Sequence, residues 1–192
     1  AFLGHAQWRR VPLGRLDRHV TVASDAMWQP PSFSRLCYIV IPDDCPAVGR
    51  CVDIPPAFWA ACKDRDTQIM VAELLAPLLA ISRHPGLFQG RAATFYIDNV
   101  AAISALVIGA SRAWDMSKLA FVLQLWLSRR RCRAWFEWVP SASDAADDGS
   151  RRGTMETTAR RLGIYVADEP WDEQLGHLLG LQSMALVDYL SG

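Results

Sequence analysis

Prolines and acidic residues cut this chain into short runs, and the character of the runs changes once. Three of the first are rich in β-branched residues: Val20-Thr21-Val22-Ala23-Ser24, Arg35 to Ile41, and Arg50 to Ile54. They are punctuated by Pro30-Pro31, Pro42-Asp43-Asp44 and Pro55-Pro56. Proline has no amide to give to a sheet ladder, so each such break ends a strand. Three strands in succession with no helical stretch between them predict an antiparallel meander.

Helical periodicity then takes over. Met70, Leu74, Leu78 and Ile81 fall on one stripe that His84-Pro85-Gly86 closes, while Glu73, Ala76 and Ala80 share a neighbouring stripe small enough to approach a sheet closely. Pro77 removes the amide that would bond the carbonyl of Glu73, so a kink is expected there. A fourth strand, Ala93 to Ile97, leads to Asp98 and to Asn99, a plausible cap for a helix through Ile108 that Gly109 stops. A further helix spans about Arg112 to Arg130, with Leu119, Val122, Leu123, Trp126 and Leu127 inward. Ala134 to Val139 makes a fifth strand, and a largely helical tail follows. The order βββ-α-β-α-α-β-α predicts an α/β fold with a mixed sheet.

Four acids hold informative places on that scaffold. Asp25 and Asp98 each end a strand, Glu73 lies inside the apolar helix, and Asp147 opens a short helical stretch in Ser143 to Arg151. Carboxylates at strand tips suggest a divalent-metal site, because hard cations prefer oxygen ligands whose charge offsets their own. For each acid alone a cap or a solvated loop accounts for it; Glu73 does not fit that reading, since an ionisable group among Ile69, Leu74 and Leu75 needs a partner. The bulk numbers neither help nor hinder. With 192 residues, twenty basic against twenty acidic, the chain fits one domain and carries no net charge, so it does not read as a purely electrostatic nucleic-acid binder. All but two of the basic residues, Lys63 and Lys118, are arginine. Five cysteines without a CxxC pair read as free thiols of a reducing, intracellular compartment. The longest apolar run is too short to span a bilayer, no signal peptide is visible, and from a start at Ala1 rather than Met a piece of a larger polypeptide is expected.

This order of elements, with acids at these points, resembles the ribonuclease H fold. The likeness runs from about Val20 to Arg152 and rests on four motifs: Ser24-Asp25-Ala26 at the end of the first strand, Ala72-Glu73-Leu74-Leu75-Ala76 in the first helix, Asp98-Asn99 after the fourth strand, and Ser141 to Arg151. The last is similar to the retroelement pattern Ser-x-x-Asn-x-Ala-Asp-x-x-Ser-Arg, with Asp144 in place of Asn. The resemblance implies a five-stranded sheet, three antiparallel strands then two parallel, with helices on both faces. It divides the chain into a lead-in at 1–18, the domain at 19–152 and a tail at 153–192. It also departs from the family in two places. Trp28-Gln29-Pro30-Pro31 stands where glycines usually follow the first Asp, and Trp138-Val139-Pro140 occupies the place of a His found in many members.

The activity so implied is hydrolysis of the RNA strand of RNA–DNA hybrids, in the manner of the RNase H domain of a retroelement reverse transcriptase. Two Mg²⁺ ions (Mn²⁺ able to substitute), about 3.5–4 Å apart, would clamp the attacking and leaving oxygens. Asp25 would bridge them, Asp147 would help hold the ion that activates water, and Glu73 and Asp98 the ion near the leaving group, with Glu73 close to the ribose 2′-hydroxyl. Asn99, Trp28 and Arg151 would contact nucleic acid, and a covalently linked polymerase would supply further affinity. Two alternatives stay open: a degenerate module that binds nucleic acid or protein without cutting, and another metal nuclease of the same superfamily. A proofreading-type exonuclease would want an acid where Met27 stands. Arg129, Arg130, Arg131 and Arg133 read equally as a backbone track or as cations closing a helix. Trp114, Trp126, Trp135 and Trp138 read as core rather than as stacking platforms.

Overall fold

In the computed structural model the described residues are 18–29, 33–151, 159–160, 162–173, 175 and 177. The lead-in up to residue 17 and the Pro30-Pro31 turn lie outside them. The strands are β1 (His19–Gln29), β2 (Phe33–Pro42), β3 (Val48–Asp53), β4 (Ala92–Ile97), β5 (Arg133–Trp138) and β6 (Val166–Asp168). The helices are α1 (Pro56–Trp59), α2 (Ile69–Arg83), α3 (Val100–Ile108), α4 (Trp114–Arg129) and α5 (Asp147–Ser150).

All six strands form one sheet in the order β5-β4-β1-β2-β3-β6. β1, β2 and β3 pair antiparallel, and β4 and β5 join β1 in parallel, as the sequence predicts. The sixth strand is a difference: three residues of the expected helical tail pair parallel with β3. A run as short as Val166-Ala167-Asp168 carries no period, so no sequence signal marks it.

Alternation along the strands sorts the core into two layers. Val20 and Val22 of β1 with Leu36, Tyr38 and Val40 of β2 face α2, α3 and α4 in the larger cluster. Ala23, Cys37, Ile39 and Cys51 face the other way, toward Ala146 and the short α5. Gly149 lets α5 settle on that face, because a Cβ there would overlap the Cys37 sulfur and lie 3.0 Å from Cys51 Sγ. Arg35 ties the layer together. Its Nε donates to the Gly149 carbonyl oxygen at 3.1 Å, and its terminal nitrogens pair with Asp53 and with Asp168 of β6.

α2 is buried on every side from Val71 to Ile81, a wider face than the predicted stripe, because it is wedged between the sheet and α3 and α4. It runs unbroken through Pro77. Leu74, Leu75, Leu78, Leu79 and Ile81 are fully buried, and at roughly 2 kcal/mol each they outweigh the several kcal/mol that a buried carboxylate costs. The helix can therefore keep Glu73 inside.

Among the described residues no helix is long and apolar enough to cross a membrane, and the five cysteines are unpaired. One sequence reading needs correction. Trp135, Trp138 and Trp114 are 66%, 52% and 48% exposed rather than core; residues on an edge strand or at a helix start keep the spacing of core residues without a layer above them. Of the arginines at 129, 130, 131 and 133, Arg129 lies in the last turn of α4, in keeping with the helix-closing reading, and the group sits at the end of the parallel strands opposite the acids.

Candidate active site

The register of the parallel strands brings the first two acids together. Ser24 pairs with Ile97, so the next residue on each strand is an acid, Asp25 and Asp98. β4 stops at Ile97, whereas β1 runs on to Gln29 as the partner of β2. Asp25 therefore lies within a strand rather than at its end, and the missing continuation of β4 leaves a notch at the carboxyl ends of the parallel strands, the usual ligand position in such sheets.

Glu73 enters the notch from the α2 side, its Oε1 accepting the Ala26 amide at 3.3 Å. Asp147 enters from α5. One ligand oxygen from each of Asp25, Glu73 and Asp98 falls within 4.8 Å of the others. Asp147 borders the same cleft of about 350 Å³ but stands outside that trio, paired with Arg151 at 2.6 Å. Trp28, Asn99 and Arg151 also line the cleft, as do Met27, Ile69, Ser141 and Ser150. Asn99 caps α3: its Oδ1 accepts the amides of Ala101 and Ala102 at 3.0 and 3.1 Å. That leaves the Nδ2 donors for whatever enters the cleft.

The electrostatics are those of crowded, partly buried acids. Burial, and after it the charges of Asp98 and Asp147, push the Asp25 carboxyl up to about 7 against a lowering contribution from the Ser150 hydroxyl. Burial foremost, then Asp25 and Asp98, holds Glu73 well above the usual carboxylate range. Its Oε2 is sealed from water without a hydrogen-bond partner, which an oxygen ligand to a hard divalent cation would remedy. The donor set thus fits such an ion.

Sequence reasoning missed three contributors. Ser141 donates to the Asp98 carboxylate, Ser150 adjoins Asp25, and Asp144 is a further acid, itself buried and pushed by that burial up to about 8 although its Oδ1 accepts the Ala146 amide at 2.8 Å. All three are letters of the Ser141–Arg151 motif, so the signal was present without a role attached.

No protein-family model matches the sequence, and no curated protein is similar enough to count as a relative. Solved structures are similar in fold. The N-terminal RNase H domain of a Mycobacterium tuberculosis protein, solved as a fusion with maltose-binding protein, aligns with a TM-score of 0.52 at 16% identity, covering 76% of this chain and 99% of that one. RNase H1 from the halophilic archaeon Halobacterium salinarum aligns with a TM-score of 0.52 at 12% identity, covering 72% and 98%. The protease–reverse transcriptase of prototype foamy virus aligns at 0.41 and 9% identity over 79% of this chain and 20% of its own. The two alignments above 0.5, with the strand order and the helices on both faces of the sheet, show that this chain has the ribonuclease H-like fold.

Proposed function

We infer that this chain is a divalent-metal-dependent endonuclease that cuts the RNA strand of RNA–DNA hybrids. The observation that carries the reading is the convergence of Asp25, Glu73 and Asp98 within 4.8 Å on three separate elements. Such a cluster repels itself and raises its own proton affinity unless a cation is bound, so it is a costly arrangement to keep for structure alone.

In this reading Asp25, Glu73, Asp98 and Asp147 would hold two Mg²⁺ or Mn²⁺ ions, which would supply an activated water and charge stabilisation for the departing oxygen. The P–O3′ bond breaks as water adds to phosphorus, leaving a 5′-phosphate and a 3′-hydroxyl. The chain's own groups bind and orient. Arg151, half exposed beside Asp147, offers its guanidinium to the phosphate backbone. Asn99 offers amide donors, Trp28 offers a ring face at the mouth of the cleft, and Glu73 lies nearest the 2′-hydroxyl that marks RNA. The Ser141–Arg151 motif supports a place as the RNase H domain of a retroelement reverse transcriptase.

The test is a panel of labelled substrates with Mg²⁺ or Mn²⁺: hybrid, double-stranded DNA, double-stranded RNA and single-stranded RNA. The expected result is cutting of the RNA strand of the hybrid. A folded protein that cuts none of them at any metal concentration is a binding module instead, and preference for double-stranded DNA marks a different nuclease.

Metal binding should depend on pH. The Asp25 carboxyl, held up to about 7 in the metal-free protein, must lose its proton to act as a ligand. Glu73, held higher than an ordinary carboxylate, must do the same, so the apparent affinity for Mn²⁺ is expected to rise by at least about tenfold per pH unit below about 7. Stability of the metal-free protein follows the opposite course. A raised carboxyl favours folding fully below its unfolded value, so stability should fall as pH rises from about 4 through 7. Calorimetric titration and thermal melts over pH 4 to 8 read both.

A further inference from the structure

We propose that Trp138 and Ser141 form a clamp that sets the Asp98 carboxylate for metal binding, an inference that rests on the two-ion reading above. Asp98 lies one residue past the end of β4, so no ladder bond of its own strand orients it. Its neighbours Asp25 and Glu73 are acids that repel it whenever they ionise, which favours a side chain turned away from them into solvent. Two hydrogen bonds from one segment, both from about forty residues further along the chain, oppose this. The Trp138 indole Nε1–H donates to the Asp98 carbonyl oxygen at 3.0 Å and fixes the main chain. The Ser141 hydroxyl donates to Asp98 Oδ2 and fixes the side chain whose carboxylate lies within 4.8 Å of those of Asp25 and Glu73.

The clamp is itself held. The Val139 amide donates to the Ile97 carbonyl oxygen at 3.2 Å, and the Ser143 amide to that of Pro140 at 2.7 Å. Pro140, at φ −61, starts the 3-10 turn that presents Ser141 to the cleft. Trp138 leaves 52% of its surface in solvent, so its place is fixed by the indole N–H rather than by packing. That is poor use of a tryptophan for stability and good use of it for positioning.

The clamp is tested by calorimetric Mn²⁺ binding to the whole chain without nucleic acid, together with melting temperature, for Ser141→Ala, Ser141→Thr and Trp138→Phe. Partners that orient a metal ligand are worth about ten- to hundredfold in affinity. Ser141→Ala and Trp138→Phe are expected to bind Mn²⁺ at least about tenfold more weakly, Ser141→Thr to restore binding by restoring the hydroxyl, and all three to melt like the wild type. Wild-type affinity in Ser141→Ala, or failure of Ser141→Thr to restore it, overturns the clamp while leaving the metal site standing. Affinity that merely follows melting temperature across the three variants also overturns it. A wild-type chain that binds no Mn²⁺ removes the metal reading and the clamp with it.

Discussion

Asp25→Asn is expected to abolish hybrid cleavage and, at neutral pH, to make the metal-free protein more stable. The two effects have one cause. Asp25 is the acid that the strand register sets beside Asp98 and that Ser150 of α5 reaches from the opposite layer, so it is the member of the cluster shared by both sides of the notch. In the proposed two-ion reading, removing its charge removes the bridging ligand. The loss should exceed the ten- to hundredfold typical of a group that only orients a ligand, so a fall of more than about a hundredfold is expected. The same change also removes a carboxyl that burial and its neighbours push up to about 7. Each kcal/mol of relieved repulsion is worth about 2–4 °C in a domain of this size. Cleavage rates and thermal melts at pH 7.5 without metal read both halves. A variant that still cuts removes Asp25 from the site; one that loses activity and also melts lower points to damaged folding, and then the loss says nothing about the metal.

Gly149→Ala should do the reverse, costing stability and activity together without touching a charge. The added methyl group would overlap the Cys37 sulfur and press on Cys51 Sγ at 3.0 Å. Overpacking of this kind costs about 1–3 kcal/mol. Because β2 and β3 form the body of the sheet, the element that gives way is the four-residue α5, which carries Asp147 and Ser150. A displacement of about 1 Å at a reacting centre can cost about a hundredfold in rate, and that is the expected fall. Cys37→Ala in the same chain removes the sulfur and should restore part of both losses, an interaction that a double-mutant cycle measures. Additive effects, or an unchanged Gly149→Ala, would mean that α5 is not seated against these two cysteines.

Most of the sheet was legible because its signals are local. Pro42, Pro55 and the β-branched runs fix three strands, and the Asn99 cap and Gly109 at φ 72 bracket α3 as predicted. The four acids were legible for the same reason, each standing at a break in pattern. What stayed hidden depends on partners far along the chain. That Asp25 lies within β1 follows from pairing with β2 beyond the end of β4, and that Trp135 and Trp138 are exposed follows from β5 being an edge, which spacing cannot reveal. The roles of Ser141 and Ser150 likewise exist only once β5 and α5 have met the ends of β4 and β1.

The sixth strand bears on the order in which the molecule can be made. Arg35 lies 133 residues before Asp168, the partner that completes its cage, and β3 waits for Val166–Asp168 to cover its outer edge. A chain emerging amino terminus first therefore has all four acids available while an edge of its sheet is still open. During that interval an unpaired strand edge is a template for a second nascent chain. Val166–Asp168 then replace the longer edge of β3 with one of three residues, and a very short edge strand is a poor template, so β6 acts for the growing polypeptide as a guard that arrives after the acids.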